Sequence, residues 1–539
     1  MARWKEQTIG DMLDNVAAKY PDTEILIEKD RRITYREFRE KVDSVAKGLL
    51  KLGVERHDKI SIWLPNSIEW MSIFFAISKL GAVSVPINTR FKSSELEYVV
   101  RQSDSVGIFM VDRFLNIDYL SIIKEAIPEV DEYEPERLSS VRFPLLRRIV
   151  CLGRDKSKAM WNWGDFLNLG NEIALKGKFN KRQASIGYDD LAVIQYTSGS
   201  TAFPKGAMLT HNNIARDGFE IGERLGIKVG DRYFTECPFY HSAGLVNCFL
   251  AAVTHGACLV FTDHFDAEES LRMIEKEKCT IIGGVQTMYT MKMAHENFGK
   301  YDISSLRAGW TTGTPQITQD VYYKMGVKGI SNIYGLSEAS PNCTHCDVEQ
   351  DPVEIRLKTM GKPQPGVEIK IIDPETGDSL PTGAKGEIYV RGWNVMKGYY
   401  KKEKETRETL DSERWLHTGD LGFFDSDGFL IFIGRVKNVI RVGGENVSCE
   451  EVEDSIYQHP KVKQVEVIGV PDERLGEVGV AFIELKEGET CTEEEIINFC
   501  KGKMANFKVP RNVRFVTGWP MTGSGKVQKF KLKEDFMKE

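Results

Sequence analysis

Lys59-Ile-Ser-Ile-Trp-Leu64, Pro65-Asn66-Ser67, Ile68-Glu-Trp-Met-Ser-Ile-Phe-Phe-Ala-Ile-Ser-Lys-Leu80, Gly81 and Ala82-Val-Ser-Val-Pro86 form one uninterrupted stretch. Its first piece is a short apolar run of strand length. The long apolar piece from Ile68 has helix length, and the last is again short and valine-rich. Strand, helix and strand in succession predict a parallel pair whose crossover helix lies on the sheet. The same rhythm extends toward the N-terminus. Thr8 to Tyr20 has apolar residues at helical spacing, Ile25 to Ile27 reads as a short strand, and Tyr35 to Leu52 as an amphipathic helix. The fold class expected is α/β, with helix-covered, mostly parallel sheets.

Farther along, Pro128 to Arg148 is rich in proline and charge and reads as an irregular surface excursion. From Gly366 the pattern changes to short strands with turn punctuation: Val367 to Ile372, Glu387 to Val390 and Phe429 to Ile433. After Gly434-Arg435-Val436-Lys437-Asn438 the remainder reads as a compact α+β unit. It contains a helix at Glu450 to Gln458, strands at Val465 to Val470 and Val478 to Leu485, and a helix at Glu493 to Met504. A chain of 539 residues exceeds the about 250–300 that one hydrophobic core supports. The division drawn from these patterns is a large N-terminal domain, 1–434, and a small C-terminal domain, 435–539.

Hydrophobic residues at 41% and charged residues at 28% describe an ordinary globular chain. A net charge of -7 argues against a dedicated nucleic-acid binder, yet leaves room for a local basic pocket around a polyanion. No stretch approaches the ~20 apolar residues of a membrane span; the best, Trp70 to Ser78, ends at Lys79. Met1-Ala-Arg-Trp-Lys-Glu6 leads straight into an acidic helical pattern, so no targeting peptide is expected and the location expected is cytoplasmic. The ten cysteines, most of them solitary in apolar surroundings like Cys248 and Cys258, read as buried reduced thiols. Cys343-Thr-His-Cys346 lacks the second ligand pair that a zinc site requires and is read as helix packing.

The stretch richest in chemistry is Tyr196-Thr-Ser-Gly-Ser-Thr-Ala-Phe-Pro-Lys-Gly206, which follows an apolar run from Leu191 to Ile194. Small hydroxyl residues and glycine let backbone N–H groups approach phosphate oxygens, and Lys205 adds a point charge. A Walker A loop fails here twice: counted from Gly199, Pro204 stands at the second glycine and Gly206 at the Ser/Thr position. The dinucleotide fingerprint fails as well, because Gly523-Ser-Gly525 is followed at the sixth place by Gln528. Taken alone, such a loop is more often a plain surface turn.

In its order, however, the string resembles the nucleotide loop of the adenylate-forming superfamily: acyl-CoA synthetases, adenylation domains of peptide synthetases, and luciferases. Ala202 stands where that family usually has glycine. The resemblance covers about residues 8 to 535, with the family's further motifs in the family's order. They are Pro238-Phe-Tyr-His-Ser-Ala-Gly244, Thr312-Gly-Thr-Pro315, Ser331-Asn-Ile-Tyr-Gly-Leu-Ser-Glu338, Trp415-Leu-His-Thr-Gly-Asp420, Arg441-Val-Gly-Gly-Glu-Asn446 and Pro520-Met-Thr-Gly-Ser-Gly-Lys526.

The resemblance implies a distorted β-barrel subdomain after the sheets and a C-terminal domain that moves about Lys437. It also implies site residues. Thr197, Ser198, Gly199, Ser200, Thr201 and Lys205 hold ATP phosphates; Gly313, Thr314, Pro315, Asn332, Tyr334 and Gly335 flank adenine. Tyr334 offers an aromatic face and Asn332 an amide to a purine, and Ser337 a hydroxyl to the α-phosphate. Glu338 offers a hard oxygen to Mg²⁺, Asp420 grips both ribose hydroxyls, and Arg435 lies beside them. Gly443 and Gly444 line the tunnel for the pantetheine arm of coenzyme A. His241 lies near the acid's carboxylate, Lys526 drives adenylation, and Tyr240, Val285, Gln286, Trp310 and Thr311 wall the acid pocket. Gln286 stands where proline is common and Asn438 where aspartate is frequent.

The activity implied is an ATP-dependent acid–CoA ligase working through an acyl-adenylate, with Mg²⁺ accompanying ATP and coenzyme A as co-substrate. The run through Lys526-Val-Gln-Lys-Phe-Lys-Leu532 is most similar to medium-chain fatty acyl-CoA synthetases. A cyclic, aromatic or other small acid is the alternative, as is loading of a separate carrier protein. Luciferase-like oxygen chemistry and a non-catalytic nucleotide sensor are the other classes weighed. Retention of Lys205, Glu338, Asp420, Arg435 and Lys526 argues against the sensor. A homodimer is the assembly kept open.

Overall fold

Lys59–Trp63 is a strand, Ile68–Lys79 a helix and Val83–Pro86 a second strand. Ser67 starts the helix, its hydroxyl accepting from Trp70 N at 3.1 Å. Gly81, at φ +65°, then turns the chain back through a conformation that side chains disfavour. The two strands pair in parallel, Lys59 level with Val83 and Ile62 with Pro86. Both are buried at almost every position, which is why they read as continuous apolar runs instead of alternating ones. The computed structural model describes residues 3–197, 204–442, 445–472, 474–501, 503–521 and 527–538; the side chains of Lys437, Arg441, Glu445 and Asn446 also lie outside that description.

Lys79, where the apolar run ends, does not reach solvent. Its ammonium is held by Asp14 at 2.6 Å and Asp43 at 2.8 Å, from the helices Ile9–Lys19 and Tyr35–Lys51. A buried charge is tolerable only when paired, and this one ties three helices together. Pro128 to Arg148 is irregular, with short 3-10 turns at Pro128–Asp131 and Pro135–Arg137. It is not a plain surface excursion, because Val130, Leu138, Phe143 and Leu146 bury themselves in the core beneath the sheet.

The first sheet has seven strands, ending in the antiparallel hairpin Leu191–Thr197 and Lys205–Thr210. A second, nine-stranded sheet sets Arg232–Thr235, Cys258–Phe261, Ile281–Val285, Ala308–Thr312 and Gly329–Gly335 as parallel neighbours. Asn342–His345 follows antiparallel. Cys343 and Cys346 therefore sit in and just after a buried strand, not in helix packing.

Contacts divide the chain into two compact units, 1–368 with 390–416 and 369–389 with 417–539. Val367–Ile372, Gly386–Gly392, Leu416–Phe424 and Leu430–Arg435 make a four-stranded sheet, most of whose residues fall in the second. This is where the barrel was expected; no ring-closing pair occurs among the described residues. The same unit holds a five-stranded sheet built on Val462–Asp472 and Gly476–Leu485, with the helices Cys449–Tyr457, Glu493–Lys501 and Lys529–Phe536.

Candidate active site

The hairpin Leu191–Thr197 and Lys205–Thr210 ends with Thr197 level with Lys205. Ser198, Gly199, Ser200, Thr201 and Ala202 lie outside the described residues. At the tip, Thr197 Oγ1 donates to Glu338 Oε1 at 3.3 Å, and the hydroxyl of Tyr399 donates to the same oxygen at 2.8 Å. The Lys205 ammonium lies 5.0 Å from the centre of the Tyr399 ring. Burial, and then the nearby Glu338 carboxylate, push the Tyr399 hydroxyl well above its ordinary range, so it stays a donor. Both hydrogen bonds reach Oε1, which among the described residues leaves Oε2 open to a cation. A half-buried carboxylate beside a hydroxyl is a hard-oxygen set of the kind magnesium takes.

Ser337 precedes Glu338, its Oγ 3.4 Å from that of Ser242. Just before both, Gly335 admits no side chain, because a Cβ there would lie 1.8 Å from the carbonyl oxygen of Pro341. Tyr334, expected to show an open aromatic face, is only 5% exposed within its strand. Asn332 is buried too, and its amide is in use. It donates to the Gly313 carbonyl at 2.6 Å and accepts from Ile333 N at 3.1 Å. Asn332 thus braces the turn that starts the helix Pro315–Tyr323, which Thr314 caps by accepting from Ile317 N.

Gln286 braces the same turn from the other side, its Oε1 accepting from Thr314 N at 3.1 Å. A proline in its place would have no such group. Val285 ends its strand and Gln286 opens the helix Gln286–Ala294. Trp310 is fully buried; its indole donates to Tyr233 and its carbonyl accepts from Tyr289 at 2.8 Å. Its bulk packs inside the sheet layer rather than standing as an open wall. Thr311, next along, projects to the opposite face and is also fully buried.

Cys237 to His241 is pinned by Asn66, from the turn between the strand Lys59–Trp63 and the helix Ile68–Lys79. Its amide donates to the Cys237 carbonyl at 3.0 Å and accepts from Phe239 N at 2.8 Å. Gln195 joins the same segment to the hairpin, donating to the Tyr240 carbonyl at 3.0 Å. Burial raises the Tyr240 hydroxyl. His241 is exposed, with Nδ1 accepting from Ala243 N at 3.3 Å. Asn66, Gln195 and Tyr399 are contributors that the motifs did not disclose.

In the second unit, Asp420 and Arg435 face each other across paired strands, Nε to Oδ1 at 3.1 Å, with Asp420 buried and Arg435 exposed. Val436–Asn438 forms a short 3-10 turn, and the Asn438 amide donates to Glu450 Oε1 at 2.7 Å. An aspartate at 438 would meet Glu450 with like charge. The Lys437 side chain, Gly443, Gly444 and Lys526 lie outside the described residues.

A model of the AMP-binding enzyme family matches residues 13–400, and one of the AMP-binding enzyme C-terminal domain matches residues 451–526. The Bacillus subtilis protein YngI is 39% identical over 539 residues, covering 99% of this chain and 98% of its own. The mitochondrial medium-chain acyl-CoA ligase ACSF2 of Mus musculus is 36% identical, covering 98% and 87%. The crystal structure of the anthranilate CoA ligase AuaEII with anthranoyl-AMP superposes with a TM-score of 0.85 at 28% identity, covering 98% and 97%. With family, relatives and fold in agreement over nearly its whole length, the chain belongs to the AMP-binding enzymes of the adenylate-forming superfamily and is an acyl-CoA synthetase, a ligase that joins an acid to coenzyme A through an acyl-adenylate.

Proposed function

We propose that the acid activated is a medium-chain fatty acid, and that 435–539 turns about Lys437 between two half-reactions. What supports the acid is the medium-chain acyl-CoA ligase of Mus musculus, similar to this chain along 98% of its length. First, the acid's carboxylate attacks the α-phosphate of ATP and pyrophosphate leaves. Negative charge gathers on phosphate oxygens, and the chain meets it with Lys205 behind the loop and Lys526 near the carboxylate. Glu338 is the protein ligand for magnesium, which when bound neutralises phosphate charge. Backbone and hydroxyls of Thr197 to Thr201 receive the phosphates, Ser337 the α-phosphate, and Asp420 with Arg435 the ribose. Adenine lies against Gly313 to Pro315 and Tyr334 to Gly335. Asn332 acts by bracing that turn.

In the second half-reaction Lys526 withdraws and Gly443 and Gly444 line the entry of the pantetheine arm. The thiolate of coenzyme A attacks the acyl carbon and AMP leaves, with His241 beside the acyl carbonyl. Tyr240, Val285, Gln286 and Thr311 wall the acid, with Trp310 filling space behind. A cytoplasmic location and a homodimer belong to the same proposal, checked by fractionation and sedimentation.

AMP release across straight-chain acids of increasing length tests the substrate. A maximum at medium length is expected; a maximum at short or long acids overturns it. The structural match to an anthranilate CoA ligase favours a second reading, an aromatic acid. Anthranilate and benzoate in the same panel separate the two.

A further inference from the structure

The five-stranded sheet of the second unit has Val462–Asp472 as an edge strand, and a group of charges sits there that none of these roles uses. Side chains alternate along the strand. Val465 and Val467 pack with Val452 and Ile456 of the helix Cys449–Tyr457. Ile468 and Val470 pack on the other face with Leu532 of the helix Lys529–Phe536. Two helices thus lie on opposite faces, with the edge between them.

Side chains from both helices meet the backbone at that edge. Val467 N donates to Glu453 Oε1 at 2.6 Å, and the Val467 carbonyl accepts from the Lys529 ammonium at 3.3 Å. Glu453 and Lys529 also pair with each other, and Glu466 lies 3.4 Å from the same ammonium. Burial alone would lower the Lys529 ammonium; the carboxylates of Glu453, Glu466 and Glu450 outweigh it and hold the group above the ordinary lysine range. Blunting an edge needs only a solvated lysine. Here the charge is drawn in and held by carboxylates of two elements, which fixes the backbone that carries it.

The place of Lys529 in the chain gives this clamp its use. Gln528 N donates to the Pro520 carbonyl at 2.7 Å, and Met521 and Val527 form an antiparallel bridge. Lys526 is the residue before Val527. The flank that follows Lys526 is therefore tied back to Pro520 and Met521, and then anchored at the sheet edge through Lys529. The helix that supplies Glu453 also supplies Glu450, which accepts from the Asn438 amide of the turn Val436–Asn438.

We propose that Lys529 is a positioning residue for adenylation: gripped by Glu453 and Glu466, it fixes the backbone from which Lys526 acts. This rests on the reading that Lys526 serves the first half-reaction only. A misplacement of about 1 Å in a reacting constellation costs up to about 10²-fold in rate.

The test follows each half-reaction separately, with whichever acid the chain-length panel turns over fastest. Lys529→Met is expected to lower acyl-adenylate formation by ~10–10²-fold. Thioester formation from preformed acyl-adenylate and coenzyme A should stay near normal. Lys529→Arg, which keeps the charge, should restore most of the loss. In a Lys526→Ala background Lys529→Met should cost nothing further, because a residue that acts through another is not additive with it. Unchanged adenylation, equal loss in both half-reactions, or the same fold loss with and without Lys526 overturns the proposal. If Lys529→Met does not fold, Glu453→Gln with Lys529→Met leaves less unpaired charge and takes the same measurements. Failure of both to fold overturns the proposal in favour of a plain structural clamp. A Lys526→Ala variant that adenylates at the wild-type rate sinks the reading of Lys526, and this inference with it. Each of the other adverse outcomes sinks this inference alone.

Discussion

Glu338 Oε1 is held from two directions, by a threonine in the hairpin and a tyrosine much later in the chain. A ligand carboxylate free to rotate would present its second oxygen in many orientations, and the two hydroxyls remove most of that freedom. Partners of this kind are commonly worth 10–100-fold in metal affinity, roughly. Tyr399→Phe is therefore expected to raise the Mg²⁺ concentration for half-maximal acyl-adenylate formation by ~10-fold, with little change at saturating Mg²⁺. Glu338→Gln should weaken the Mg²⁺ response further while leaving the fold intact. Titrations identical to wild type in both variants would remove Glu338 from the metal site. Glu338 was legible in a motif of neighbouring residues. Tyr399 was not, because its partner lies far off in sequence and a Gly-Tyr-Tyr string announces nothing.

The helices Ile9–Lys19 and His211–Arg224 meet through one such contact, Ile9 N donating to His211 Nδ1 at 3.3 Å. The imidazole is fully buried, and burial lowers it to about 4, against the raising pull of Asp190 and Asp11. The folded chain thus resists a proton that the unfolded chain accepts below about 6.5. Stability linked to this group is fully present above that pH and is lost as pH falls toward 4. His345, buried and lowered to about 3, adds to the same trend. His211→Asn keeps an acceptor for Ile9 N and removes the titration. Its Tm should fall less steeply than the wild type's between pH 6.5 and 4 by calorimetry, and parallel curves would refute the assignment. Helix positions were readable from apolar spacing: the pattern read from Thr8 to Tyr20 is the helix Ile9–Lys19, with Thr8 as its cap. Which residues dock one helix on another was not, since that spacing is silent about partners.

At the scale of the molecule, two compact units and two half-reactions invite one scheme, in which Lys526 and Gly444 act in turn. If Lys526 serves adenylation only, Lys526→Ala should lower acyl-adenylate formation by ~10²–10³-fold, the usual loss for one transition-state donor. Given preformed acyl-adenylate and coenzyme A, the same variant should form thioester at a near-normal rate. Gly444→Leu should do the reverse, because a leucyl side chain would fill the tunnel while leaving adenylation intact. Comparable losses in both steps for both variants would refute alternation and favour one fixed active conformation.

The sequence by itself determined the α/β class, the order of the chemical motifs and the family, for two physical reasons. Strands buried on both faces require unbroken apolar runs, and a phosphate loop requires small, hydroxylated residues within a few positions. Both constraints are local and leave a pattern. Tertiary structure alone decided that Lys79 is buried between two aspartates, that Asn66 pins the segment before His241, and that Trp310 packs inside the sheet. It also decided that Gln286 clamps Thr314, and that Lys292 is paired with a buried Glu236. Each of these is a pairing of single groups remote in sequence. Such a pairing is set by where the folded backbone brings two atoms together and leaves no period along the chain.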